Sequence, residues 1–102
     1  MKRIISVLLV LAMVFSLAAC SGGTSMTMGT GSPTGTYYAY GGIVSQYITN
    51  HAGIKANAVS TGGSKDNIQG IDAGDYQLGT VQSDVMTYAW KGERTFDKKV
   101  DS

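Results

Sequence analysis

From Ser25 onward the apolar and polar positions change rhythm three times in the same order. Ser25 to Thr30, SMTMGT, alternates methionine with threonine, the period-2 pattern of a half-buried strand. A glycine-crowded loop follows, and from Thr36 the residues Tyr37, Tyr40, Val44, Tyr47 and Ile48 recur at three- and four-residue spacing. That spacing predicts a helix with these side chains on its buried face, ending near His51-Ala52-Gly53. Ile54 to Thr61, IKANAVST, returns to strand periodicity, with Ile54, Ala56, Ala58 and Val59 as its apolar set. Thr61-Gly62-Gly63-Ser64 leads into SKDNIQGIDAG. There Ser64 is suited to cap a helix that carries Asp66 in its first turn, buries Ile68 and Ile71 and stops at Gly74. Tyr76 to Gln82, YQLGTVQ, is the third predicted strand. Ser83 and Asp84 are N-cap and first-turn residues for a third helix through Val85, Tyr88, Ala89 and Trp90, with Trp90 expected in the core.

Strands alternating with helices imply right-handed crossovers and a parallel sheet, hence an α/β fold. Ligands of such sheets bind outside the carboxyl ends of the strands. All three strand-to-helix junctions, Gly31 to Thr36, Thr61 to Ser64 and Gln82 to Ser83, are therefore expected on one edge. Each offers backbone N–H groups at a helix N-terminus, where the macrodipole favours negative charge. Glycines let a ligand approach that backbone, Thr36, Thr61, Ser64 and Ser83 add hydroxyls, and Tyr37, Tyr38 and Tyr40 supply broad walls with polar tips. Tyr37 reads equally as core and as ligand wall. The inferred ligand is a small anion, a carboxylate.

The rival motifs fit less well. Gly29-Thr30-Gly31-Ser32-Pro33-Thr34-Gly35 spaces its glycines one residue too long for the dinucleotide fingerprint, and no GK[ST] follows. His51, the single histidine, falls at the carboxyl end of the first helix, where an imidazolium complements the dipole. No G-x-S-x-G elbow occurs, and Asp66, Asp72, Asp75 and Asp84 sit near helix ends or turns, where capping or solvation explains them. Lys65 reads as a solvated helical lysine. The sequence points to no enzyme, no cofactor and no metal.

The first residues belong to targeting. Lys2 and Arg3 precede an apolar run that closes on Leu17-Ala18-Ala19-Cys20. That closing tetrad resembles a bacterial lipobox, so residues 1–19 read as a lipoprotein signal peptide. Cys20 is the lipidation site and residues 20–25 are a polar tether, placing the protein outside the cytoplasmic membrane on acyl chains. Cys20 is the single cysteine, which excludes an intrachain disulfide. Of the 8 Lys+Arg and 7 Asp+Glu, Lys2 and Arg3 leave with the leader, so the mature chain carries 6 − 7 = −1. With no basic run interleaved with aromatics, nucleic acid is excluded as a partner.

Three segments, MGTGSPTGTYYAYGG, STGGSKDNI and GDYQLGTVQSDVMTYAWKG, in that order from Met28 to about Phe96, resemble the solute receptors of TRAP transporters, specifically the TAXI family. The resemblance implies a type II periplasmic-binding-protein fold of which residues 26–96 form the first βαβαβα part of one lobe. It implies a glutamate, glutamine or other organic-acid ligand and delivery to a TRAP permease driven by an ion gradient. Carried over by motif, the ligand-binding residues are Thr36 and Tyr37, then Thr61, Gly62, Gly63 and Ser64, then Gln82 and Ser83. Pro33 departs from the family pattern, and residues 97–102 read as a divergent truncated tail, so the chain is expected to be a receptor fragment with little carboxylate affinity. The alternative is a small autonomous surface lipoprotein that binds a protein or cell-wall partner through its tyrosine-rich face.

Overall fold

The computed structural model describes residues 1–7 and 23–101. The lipobox at Leu17-Ala18-Ala19-Cys20 and most of the leader lie outside them. No helix among the described residues is long and apolar enough to cross a membrane.

The elements run β1 (Ser25–Gly29), α1 (Thr36–Ala52), β2 (Lys55–Val59), α2 (Ser64–Asp72), β3 (Leu78–Gly79) and α3 (Ser83–Lys91). All strand pairs are parallel and the sheet order is β2-β1-β3. Because β1 to β2 steps one way across the sheet and β2 to β3 steps back over β1, right-handed crossovers put α1 and α2 on opposite faces. Accordingly α1 packs on β2 and β1, while α2 packs on β3 and β1 and against α3. The expected α/β architecture is therefore observed, with left-handed Gly53 (φ 67°) ending α1 and Gly74 (φ 83°) just beyond α2.

The third strand is shorter than its pattern predicts, Leu78–Gly79 instead of Tyr76 to Gln82. The physical reason lies at Gln77. Its backbone N–H donates to the Thr27 carbonyl at 3.0 Å, yet the Thr27 N–H is answered by the Gln77 side-chain Oε1 at 2.8 Å. A side chain thus takes the place of the next backbone partner. At the outer edge of β2 a similar device answers Ala56: Thr49 Oγ1 on α1 accepts from Ala56 N–H at 2.9 Å. Its proton lies between the carbonyls of Ser45, 2.9 Å, and Ala56, 3.3 Å.

The buried face of α1 corrects the expectation drawn from its tyrosines. Tyr40 and Tyr47 are 57% and 63% exposed, and the helix buries Gly41 and Ser45 instead. A Cβ on Gly41 would collide with Thr30 Cγ2 and touch Ala58 Cβ at 3.6 Å, so this is a close approach that only glycine allows. Bulky rings cannot occupy a face that near the sheet, and they turn outward. On the other side, Ile68, Ala89 and Phe96 form the core, with Val81, Val85, Tyr88 and Val100 packed around it. Trp90, expected there, is 58% exposed, with the Lys99 ammonium 4.2 Å from its ring centroid. Val100 N–H donates to the Ala89 carbonyl at 2.9 Å, which lays residues 97–101 along the end of α3.

Candidate functional site

The three junctions meet at the carboxyl edge of the sheet and are stitched together by hydrogen bonds. Thr30 N–H and Oγ1 both donate to the Val59 carbonyl, at 3.1 and 2.6 Å, joining the ends of β1 and β2. Thr61 N–H donates to the Gly31 carbonyl at 3.0 Å, and Thr80 N–H to the Gly29 carbonyl at 3.1 Å. Gln82 N–H donates to Ser64 Oγ at 3.0 Å, tying the third junction to the second.

At this edge α1 leaves β1 toward one face and α3 leaves β3 toward the other, so the crevice expected of such a topology falls between β1 and β3. This is the switch point where doubly wound sheets hold ligands. Thr36 is the first residue of α1 and is exposed at the rim. Tyr37 is half-buried, its Cβ 3.4 Å from where a Cβ on Gly31 would stand. Ser83 opens α3 and Gln82 precedes it, both exposed. All the motif-derived residues therefore share one edge, but their polar groups are not equally free.

The STGGS loop is spent on itself. Thr61 Oγ1 donates to Asn67 Oδ1 at 2.6 Å and accepts from Gly63 N–H at 3.2 Å. Gly62 N–H donates to the Asp66 carboxylate at 2.9 Å, so an acidic side chain already sits where an anion would be drawn. Gly63, at φ 115°, holds a conformation that L side chains rarely adopt. Ser64 is buried as the first residue of α2 and does not cap it; its hydroxyl oxygen serves Gln82 instead. Ser83 likewise lies within α3, with Gln82 at the N-cap position, and makes no side-chain cap. None of the three helices, α1, α2 or α3, has a side-chain cap hydrogen bond. In α3 the first-turn Val85 N–H is taken by the Asp84 carboxylate at 2.9 Å, whereas the first-turn N–H groups of α1 have no side-chain acceptor, an arrangement that favours a bound anion there.

One residue of the site escaped the sequence pattern. Asn67, 0% exposed, lies under the crevice in the second turn of α2. Its Nδ2 donates to the carbonyls of Thr30, 2.7 Å, and Thr80, 2.8 Å, while its Oδ1 takes the Thr61 hydroxyl. Two carbonyls on one side fix the amide orientation, since only the NH2 can donate to both. Cβ atoms on Gly29 or Gly79 would stand 2.6 Å from Asn67 Oδ1 and 3.1 Å from Asn67 Cβ, so those glycines make room for it. The signal in the sequence was the pair Gly29 and Gly79 at two strand ends, which also bear on the same buried side chain.

Elsewhere the groups are remote from this edge. His51 lies at the opposite end of α1, its ring stacked on Tyr47 at 4.0 Å and its Nδ1 2.9 Å from the Tyr47 carbonyl. An apolar cavity of about 490 Å³ opens beside β3, lined by Ile71, Val81, Met86 and Trp90 among others, and contains none of the motif-derived residues. Compared with known families, residues 28–102 match the model described as the NMT1-like family.

Proposed function

This chain belongs to the NMT1-like family, a periplasmic-binding-protein-like family that includes TRAP solute receptors, and we propose that it is the ligand-facing part of such a receptor. The ligand is a small carboxylate, glutamate, glutamine or another organic acid. The receptor serves an ion-gradient-driven TRAP permease, falls in the TAXI group, and is held to the outer side of the membrane by lipid on Cys20. It binds and hands over its ligand without chemistry.

The observation that carries this reading is the convergence of three helix N-termini without side-chain caps at one crevice. A carboxylate placed there receives N–H donors from the first turn of α1 and from Ser83 and Asp84 at the start of α3, where Val85 N–H is held by the Asp84 side chain, together with the favourable ends of both dipoles. Thr36 and Ser83 add hydroxyls at the rim, Tyr37 forms a wall beside Gly31, and Gln82 offers an amide for a second polar group of the ligand. The STGGS loop, with Thr61, Gly62, Gly63 and Ser64, shapes the crevice more than it contacts the ligand, because its donors are already engaged. A site formed by these few donors alone binds a small acid weakly, with Kd on the order of millimolar.

The test is an amide-shift titration of the full chain in detergent micelles with glutamate and, separately, succinate. Shifts confined to the first turns of α1 and α3 and to Gln82 are expected. No shift there at tens of millimolar of either acid sinks the carboxylate reading. A second reading has its own observation. Tyr40, Ile43 and Tyr47 are all more than half exposed along one side of α1, a surface suited to a protein or cell-wall partner. Shifts on that stripe with peptidoglycan fragments, and none at the crevice with acids, favour it.

A further inference from the structure

The three junctions have different sequences and different lengths, yet all reach one buried side chain. Asn67 Nδ2 holds the Thr30 carbonyl just beyond β1 and the Thr80 carbonyl just beyond β3. Its Oδ1 holds Thr61, just beyond β2, and that hydroxyl in turn accepts from Gly63 immediately before α2. Thr80 Oγ1 also reaches the Thr30 carbonyl at 3.2 Å, so the bonds form a closed network. A fully buried amide with every partner satisfied is stiff, and its loss orphans groups in all three segments at once.

We propose that Asn67 is the positioning residue of the crevice: one side chain sets the mutual placement of the turns that lead into α1, α2 and α3. This rests on the reading of that edge as the ligand site, but it makes a claim about the unliganded protein that stands apart from any ligand. Asn67 itself touches no ligand. It acts through Thr30, Thr61 and Thr80, whose carbonyl and hydroxyl orientations fix where the following N–H groups point.

Hydrogen exchange on the full chain in detergent micelles tests it without a ligand. In Asn67→Ala the N–H groups of Thr61, Thr80 and Gln82 are expected to exchange roughly ten-fold faster or more, while Ile48 in α1 stays as slow as before. Ile68→Val, which loosens the neighbouring core, is expected to leave those three amides unchanged. Acceleration restricted to α2 in Asn67→Ala overturns the proposal. Should Asn67→Ala fail to fold, Thr61→Val removes one partner and keeps the amide. It must then speed exchange at both Thr80 and Gln82, more than 18 residues away in sequence for Thr80 and farther for Gln82; unchanged rates at either overturn the proposal. The glutamate titration on the same samples separates the two ideas: an unresponsive wild-type chain with the three amides released together in Asn67→Ala refutes the ligand and keeps the positioning role.

Discussion

Gly41 of α1 rests directly on Thr30, so that a single added methyl would occupy the place of Thr30 Cγ2. Thr30 is 0% exposed and holds the Val59 carbonyl with both its N–H and its hydroxyl, so it has no freedom to yield. Alanine favours a helix interior over glycine by about 0.5–1 kcal/mol. Overpacking of a fixed contact costs about 1–3 kcal/mol. Gly41→Ala is therefore expected to destabilise by about 1–2 kcal/mol net. A thermal melt checks it, and a raised melting temperature would show that the helix can back away from the sheet.

Four residues further along the same face, Ser45 is 4% exposed and its hydroxyl oxygen has no hydrogen-bond partner. Burying an unpaired hydroxyl is unfavourable, and alanine keeps the small volume that the close packing needs. Ser45→Ala is expected to stabilise by up to about 1 kcal/mol, read as an increase in the denaturation midpoint.

Asp66 is exposed in the first turn of α2 and accepts from Gly62 N–H. Asp66→Ala removes a favourable charge–dipole interaction worth about 0.3–1 kcal/mol and frees an N–H at the crevice. Stability is expected to fall slightly while glutamate affinity rises several-fold, an opposition that titration and melting on one sample would reveal. A drop in both would place Asp66 among the groups that recognise the ligand.

Phe96 and Trp90 invert the usual ranking by size. Phe96 is 5% exposed in the core with Ile68 and Ala89, whereas Trp90 is 58% exposed. Phe96→Ala is expected to cost about 3–5 kcal/mol, enough to unfold a small domain. Trp90→Ala is expected to cost well under half of that, and comparison of the two denaturation curves decides.

Much of the fold was legible because alternating strands and three-four spaced helices leave a periodic trace, and glycines mark where each element stops. The common edge of the three junctions followed from parallel topology alone. What periodicity could not show was distance between layers. Tyr40 and Tyr47 share a helical stripe, but the side facing the sheet was chosen by Gly41 and Ser45, whose smallness permits a close approach that hydrophobicity does not record. Asn67, within the polar run Lys65-Asp66-Asn67, reads as solvated helix surface. Its meaning lies in carbonyls 37 and 13 residues away, which become visible only after folding. The STGGS loop was placed at the correct edge, yet its donors turned out to be spent internally, since a sequence lists donors without their partners.

The bond between Thr49 and Ala56 gives the sheet a direction of growth. Ala56 would otherwise present its N–H and carbonyl along the outer rim of β2, and the threonine hydroxyl answers both. At the other rim, β3 has no further strand beside it among the described residues, and an apolar hollow lies open there. Pairing of another strand is thus hindered at Ala56 on one margin and unopposed at the other.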